Sequence, residues 1–578
     1  MASATKRIVR RPDASAGASL HPSPLLSRIY AARGVQDAEQ LSRELKGILP
    51  PDQMKGIDTA SQLLADAISL GKRILIVGDF DADGATSCTV AVLALRAMGA
   101  AWVDFLVPNR FEYGYGLTPE IVDLAALQRP DVLVTVDNGI ASLSGVAAAK
   151  AAGYQVIVTD HHLPGETLPA ADAIVNPNQP GCPFASKALA GVGVIFYVLL
   201  ATRAVLRERG YFASRQEPNL ADYLDLVALG TVADVVPLDA NNRILVQQGL
   251  LRIRAGRCRP GISALLQVAN RPQQRAVASD IGFAIGPRLN AAGRLDDMTV
   301  GITCLLEDDP QRALAMAAEL DGFNRDRRAI ESGMQREADD ALQQVVSESS
   351  MGNSLCLFDA RWHQGVIGIL ASRLKERFHR PTIIFAPADN GEIKGSGRSI
   401  PGFHLRDALD EVATANPGLL SKFGGHAMAA GLSLAEANFE AFQAAFERVA
   451  QRLLREDDLQ ATIYSDGELA AQDLQLLVAQ ALREGGPWGQ GFPEPRFDGQ
   501  FVLVNQRIVG EKHLKCVLSP LDDPQLLVDG IAFNIDPEQW PVADGSTVLL
   551  AYGLDVNHFR GRDSLQLMID HIEVVSPA

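Results

Sequence analysis

Four stretches of the chain concentrate carboxylates and imidazoles in patterns that could hold metal ions. They are Asp79-Phe-Asp81-Ala-Asp83-Gly84, Asp137-Asn-Gly139, Asp160-His161-His162, and Asp234 inside the apolar run Ala228–Val236. If the backbone stays extended through the first, a spacing of two turns all three carboxylates to one side. Without cations such a group would repel itself until one member took a proton. Oxygen-rich donors with one or two imidazoles and no thiolate suit Mn2+ or Mg2+ rather than structural zinc. Five or six ligands exceed what one ion with open positions needs. Two ions ~3.5–4 Å apart, sharing a carboxylate, would serve in-line displacement at phosphorus. An Asx-rich surface turn or a helix cap would explain any one of these aspartates alone. A lone Asp in an apolar run, such as Asp234, is costly unless paired or coordinated.

The elements that position these residues are legible from hydrophobic pattern. Arg73–Gly78, Val132–Val136 and Val156–Thr159 are short Val/Ile/Leu runs, each followed by aspartate and then by an Ala-rich stretch. They read as buried parallel strands, and active sites in open α/β sheets gather beyond the carboxyl ends of such strands. Further strands are expected at 103–107 and 173–176. From Gly71 to about Val236 strand and helix alternate, as a doubly wound sheet requires. Gly84 is expected to turn the backbone toward a helix starting near Thr86. Asp309-Pro310 supplies a cap and first-turn proline for a helical segment, with Gly322 a point of interruption and a polar helix over 324–347. A second α/β unit follows, with strands at 354–359 and 382–386. From Phe501 the texture changes to short alternating strands of a small barrel or sandwich.

At 578 residues and 47% hydrophobic content the chain can fill several cores. Its six cysteines form no CxxC pair, which argues against a zinc site or disulfide framework and fits a reducing, cytoplasmic location. No apolar run reaches the ~20 residues of a membrane span. Residues 1–22 read as a flexible, solvated tail. The net charge of −16 argues against a protein that coats nucleic acid, yet a carboxylate cluster built for cations adds negative charge by design.

The set Asp79–Gly84, Val136–Gly139, Asp160–His162 and Gly230–Val236 resembles the DHH phosphoesterase superfamily. Four later stretches narrow the resemblance to its bacterial single-strand-specific exonucleases: Ile285–Arg294, His363–Gly368, Lys394–Ser399 and Phe423–His426. The likeness runs from about Ser23 to the C-terminus. It implies an α/β protein in which a DHH-type parallel-sheet catalytic domain is joined by a long helix to a second α/β lobe, followed by an OB-like β-barrel. The expected divisions are a catalytic domain with N-terminal helices over 23–308, a connecting helix over 309–350, a DHHA1-like lobe over 351–456 and an OB-like nucleic-acid-binding domain over 457–578.

The activity so implied is 5′→3′ release of mononucleotides from single-stranded DNA in repair and recombination, using two Mn2+ or Mg2+ ions. Asp79, Asp81, Asp83, Asp137, His161 and Asp234 would be the ligands. Asp137 would bridge the metals, His162 would meet the scissile phosphate and Asp160 would orient its neighbours. A helicase or single-strand-binding protein is a partner suggested by the family alone. Two other classes fit parts of the pattern, a phosphodiesterase for oligoribonucleotides or cyclic dinucleotides and a non-catalytic single-strand-binding scaffold.

An exonuclease must also hold its strand. Arg110 and Tyr113 combine a cation with an aromatic face after the second strand. Residues 361–406 carry eight Lys/Arg against three Asp/Glu, a net +5 inside an acidic chain. There Ser396 and Arg398, in a Gly-rich stretch, and beyond it Gly424, Gly425 and His426 are candidates to present amides and charge to phosphate. Arg288, Asn290 and His363 are further candidates near the lobe junction.

Overall fold

The computed structural model describes residues 6–12, 19–109, 113, 116–346, 352–510, 513–533, 535 and 542–577, the side chains of 339 and 341–346 excepted. β1 (Lys6–Arg10) opens the chain. A five-stranded parallel sheet follows, made of β2 (Arg73–Gly78), β3 (Trp102–Leu106), β4 (Val132–Val136), β5 (Gln155–Thr159) and β6 (Ala173–Val175), in the order β3-β2-β4-β5-β6. Alternate residues of β2 serve different cores. Ile74 and Ile76 join the main cluster, while Leu75 and Val77 pack with Leu133, Val156 and Val158 on the opposite face. Every residue of β4 is buried, as expected of a strand covered on both faces.

The extended arrangement expected for Asp79–Asp83 is not what forms. β2 ends at Gly78 and a helix begins at Ala82, because Asp81 caps it by accepting the Asp83 and Gly84 amides at 2.9 and 3.0 Å. The helix therefore starts four residues before Thr86. Gly84 lies inside its first turn, where an added Cβ would meet the Asp79 carbonyl oxygen at 2.3 Å. Its role is close packing rather than a sharp bend.

The connecting helix runs unbroken from Pro310 to Val346, capped by Asp309, with Gly322 inside it. Nothing lies within 4 Å of a Cβ built at Gly322, and a glycine there costs a helix only ~1 kcal/mol. Asp321 ties this helix to Arg288 of the first lobe, while Glu331 binds Arg327 and reaches Arg373 of the second. The second sheet contains β7 (Leu355–Phe358), β8 (Thr382–Pro387), β9 (Glu392–Arg398), β10 (Lys422–Gly425) and β11 (Ala429–Ala435), ordered β10-β11-β9-β8-β7. Only the β7–β8 pair is parallel.

β12 (Ala461–Ser465) pairs in parallel with β1, so part of the expected N-terminal tail is a strand. It is fixed by Arg10 on Asp498 and by Arg11 on Asp466. β13 (Phe497–Val509), β14 (His513–Pro520), β15 (Val528–Ala532), β16 (Thr547–Phe559) and β17 (Arg562–Ser576) close a barrel. Although it follows the second lobe in sequence, the barrel shares its hydrophobic core with the first. Tyr30, Trp488 and Phe492 stack at that seam with centroids 5.1–6.1 Å apart, and Arg33 forms a buried ion pair with Asp466 at 2.8 Å. Among the described residues no helix is long and apolar enough to cross a membrane.

Candidate metal centre

Each metal-ligating candidate of the sheet sits just past a strand end, and local hydrogen bonds explain why it points inward. Asn138 donates to the carbonyls of Val77 and Val136, locking together the ends of β2 and β4 that carry Asp79 and Asp137. Asp137 has φ +62°, and a Cβ at Gly191 would fall 2.6 Å from its Oδ1. Only glycine at 191 leaves space for that carboxylate. Asp83 accepts the amides of Gly191 and Val192 at 2.6 and 2.9 Å, which anchors it on the positive end of the helix Gly191–Glu208. Asp234 caps the C-terminal end of the helix Leu224–Ala233.

Asp160 accepts from the amides of Ile140, His161 and His162 and from Nδ1 of His162 at 2.7 Å. Its four hydrogen bonds make it an orienting group. Asn178 and Asn176 hold the carbonyls of His161 and His162 from the other side.

Donor atoms converge in overlapping groups, each spanning no more than 4.8 Å: Asp83, His161 and Asp234; Asp79, Asp81 and Asp137; and Asp137 with His161 and His162. His161 Nε2 lies 3.2 Å from Asp137 and 3.5 Å from Asp234. Nε2 of His161 and Oδ2 of Asp234 are buried and lack a hydrogen bond among the described residues. Buried polar atoms aimed at one point without partners are what cation ligands look like. The donor set therefore fits divalent ions.

The electrostatics agree. Burial and then the neighbouring carboxylates Asp83, Asp81, Asp234 and Asp79 hold Asp137 well above the usual carboxylate range. Burial and the charges of Asp83, Asp81 and Asp79 do the same to Asp234. Burial and Asp81 push Asp83 up to about 7, against the pull of its two amides. His161 is pushed down to about 4 by burial and by His162, so its ring is neutral at pH 7, the form that ligates. Burial opposes charge on His162, but the hydrogen bond to Asp160 outweighs it and raises its pKa.

Opposite the metal centre, a cleft of about 380 Å³ is lined on one side by Phe80, Asp81, Asn290 and Arg294 and on the other by Gln364, Lys394, Ser396 and Arg398. Lys394, Ser396 and Arg398 alternate along β9 and share one face. The stretch expected as a phosphate-cradling turn is thus a central strand whose amides serve the ladder. Its glycines make room for Phe385 and Leu405. Arg398 is mostly buried, and no carboxylate pairs with it among the described residues. It donates to Ser396 Oγ and the Gly397 carbonyl.

The remaining candidates divide. Asn290 lines the cleft and accepts the Ala82 amide. Gly424 and Gly425 are the last residues of β10, paired with Gly431 and Ala430 of β11, and His426, in the turn that follows, is near enough for its field to reach His161 and His162. His363 accepts from the Gly365 amide beside the cleft. Arg288 is turned away, donating to Asp321 and to the Ala284 carbonyl, so it braces the connecting helix. Tyr113 packs against the cluster under the sheet, and Arg110 lies outside the described residues. Sequence reasoning missed Gly191, which carries no chemical signature, and gave no role to Asn138, although it stands between Asp137 and Gly139 in a motif that it quoted. It also passed over Arg294 and Lys394, although both stand inside motifs that it singled out.

Sheet, centre and second lobe define a DHH-type protein. Residues 73–231 match the DHH family N-terminal domain, 349–452 the DHHA1 domain and 465–571 the RecJ OB domain. The single-stranded-DNA-specific exonuclease RecJ of Dickeya dadantii is 58% identical over 97% of this chain and 98% of its own. Crystal structures of RecJ from Thermus thermophilus superpose with TM-scores of 0.80 (in complex with Mn2+, 31% identity) and 0.74 (in complex with Mg2+, 30% identity). They cover 98% of this chain and 79% and 78% of theirs. The chain belongs to the RecJ family.

Proposed function

We propose that this protein is a single-stranded-DNA-specific exonuclease that hydrolyses phosphodiesters with two divalent ions, Mn2+ or Mg2+, and releases mononucleotides in the 5′→3′ direction. The observation that carries this reading is the inward-facing donor set of Asp79, Asp81, Asp83, Asp137, Asp234 and His161, set across a cleft from an Arg398 without a carboxylate partner among the described residues. Asp83, Asp137, His161 and Asp234 would hold one ion, and Asp79, Asp81 and the shared Asp137 the other. Bound there, the ions supply Lewis acidity toward water and toward the phosphodiester oxygens.

The chain's own residues do the rest. Asp160 takes the Nδ1 hydrogen bond of His162 and so presents the opposite ring nitrogen to a phosphate oxygen. Arg398, Lys394 and Ser396 bind phosphate on the far wall, where a buried guanidinium needs an anion. Asn290 fixes the start of the helix that carries Asp83. The barrel, fused to the catalytic lobe, guides the strand toward the metals. The reading places the enzyme in the cytoplasm, working in DNA repair and recombination after a helicase or beside a single-strand-binding protein.

End-labelled single-stranded DNA with matched duplex and RNA, in Mn2+ and in EDTA, tests it. Metal-dependent release of mononucleotides from the 5′ end of the single strand alone is expected. Activity confined to dinucleotides or cyclic dinucleotides would overturn the proposal.

A further inference from the structure

We infer that Phe283 and Val235 form an apolar platform beside Asp234 on which a base of the threaded strand stacks, an assignment that rests on the exonuclease reading above. Both side chains are open to solvent, Phe283 at 79% and Val235 at 62%. A single exposed apolar residue means little. Here the supports beneath the two are unusual.

Val235 follows the candidate ligand Asp234 directly and has φ +62°, a conformation that a β-branched residue holds only under constraint from its surroundings. The constraint is visible in its flanks. The Asp234 and Val235 amides donate to Gly230 and Val232 carbonyls, and Leu238 donates to the Gln490 carbonyl. Phe283 sits in a π-helical turn, Ile281–Ile285, of a kind that is rare and concentrates at functional sites. It alone of those five residues is exposed. Arg288 braces the turn through the Ala284 carbonyl.

The two segments pack on each other. A Cβ at Gly282 would lie 3.4 Å from Val232 Cγ1, and one at Gly286 3.2 Å from the Ala233 Cβ. Phe283 is thus carried on a turn that abuts the two residues immediately before Asp234. The chemistry of the pair selects its occupant. Neither side chain offers a hydrogen bond, so neither can tell one base from another. Every base has an apolar face, and stacking on it tolerates any sequence, as an enzyme that removes each nucleotide in turn requires. With phosphate held by the metal centre and Arg398, the platform beside Asp234 faces bases rather than backbone.

The test uses full-length protein with Mn2+ and single-stranded oligothymidylate, unmodified or carrying one abasic residue at successive positions. Wild type should slow roughly tenfold when the abasic residue reaches one fixed register, the worth of a single base–aromatic stack. Phe283→Ala should raise KM on the unmodified strand roughly tenfold and lose that pause, while Phe283→Trp keeps it. Val235→Gly should raise KM without lowering Tm, because glycine relieves the backbone constraint. A Phe283→Ala enzyme with wild-type KM, or one that still pauses at the same register, overturns the platform. Wild type that degrades unmodified DNA without any pause overturns it too, leaving the exonuclease reading intact. Wild type inert on unmodified DNA overturns both.

Discussion

Stripping divalent cations should make the protein lose stability as pH rises, and restoring them should remove that trend. Asp83, raised to about 7, and Asp137 and Asp234, both held well above the usual carboxylate range by burial and by their neighbours, bind protons more tightly in the metal-free fold than in the unfolded chain, which releases them near pH 4. The unfolded state then binds fewer protons, so unfolding free energy falls as pH increases. His161 works the other way. Lowered to about 4, it favours the fold as pH climbs, but only until its unfolded value of about 6.5 is passed. Above about pH 6.5 the carboxylates act alone, joined by His162, whose raised value carries the same sign as theirs. From about pH 6.5 to 8, a carboxyl that stays protonated loses about 2 kcal/mol at ~1.4 kcal/mol per pH unit, and Asp83, which gives up its proton near pH 7, loses less. A loss of about 2 kcal/mol, roughly 4 °C in the Tm of a lobe this size, is the scale set by one carboxyl that keeps its proton. Bound ions keep the carboxylates ionised and cancel the loss. Differential scanning fluorimetry in EDTA and in Mn2+ across that range reads the effect directly. A metal-induced rise in Tm that is absent, or equal at both ends of the range, would refute the assignment of these residues as a cation site.

Three further outcomes follow from contacts on the page. Asp137→Asn should lower turnover by more than the roughly 10–100-fold expected of Asp160→Asn, because on the proposed reading the first removes a shared ligand and the second only the brace on His162; steady-state assays of both variants beside circular dichroism check this ranking. Arg398→Ala should weaken single-strand binding and reduce the salt dependence of log Kd by about one ion, and unchanged affinity and slope would return Arg398 to a purely structural part. Asp466→Asn strands Arg33, whose side chain is 1% exposed, and should destabilise the protein by about 3–5 kcal/mol in urea unfolding while the metal response of Tm persists.

What the sequence disclosed and what it hid follow from range. Continuous apolar runs ending in aspartate placed β2, β4 and β5 and their shared edge correctly, because a strand covered on both faces leaves a purely local mark. The spacing of two failed immediately after the first of them. Asp79, Asp81 and Asp83 alternate as a strand would, yet the capping strength of Asp81 converts the last two into a helix start. Local capping outweighs periodicity over so few residues. The glycines of β9 misled in the same manner, since a turn and a strand crowded by Phe385 and Leu405 both require glycine. Long-range contacts left no trace at all. Nothing in Arg288 announces Asp321 as its partner, and nothing in Phe492 announces that the barrel returns to share a core with Tyr30.

That return decides how the cleft can discriminate a single strand from a duplex. The barrel and the catalytic lobe form one hydrophobic cluster, whereas the second lobe has clusters of its own. The second lobe meets the first through the connecting helix and through a backbone contact beneath the cleft. Arg294 donates to the Gly365 carbonyl at 3.2 Å, and a Cβ at Gly365 would lie 2.4 Å from the Arg294 carbonyl oxygen. On the catalytic side, a Cβ at Gly293 would lie 1.9 Å from the Phe80 carbonyl oxygen. The two main chains approach closely here, and the Arg294 guanidinium tethers the Gly365 carbonyl besides. The contact between Arg294 and Gly365, both lining the cleft, thereby constrains the separation of Asp81 from Lys394, Ser396 and Arg398. A strand that enters must place its phosphates between those walls. On the exonuclease reading the cleft takes one strand, and widening it at that contact, by Gly365→Ala for instance, should be where selectivity for unpaired DNA is first lost.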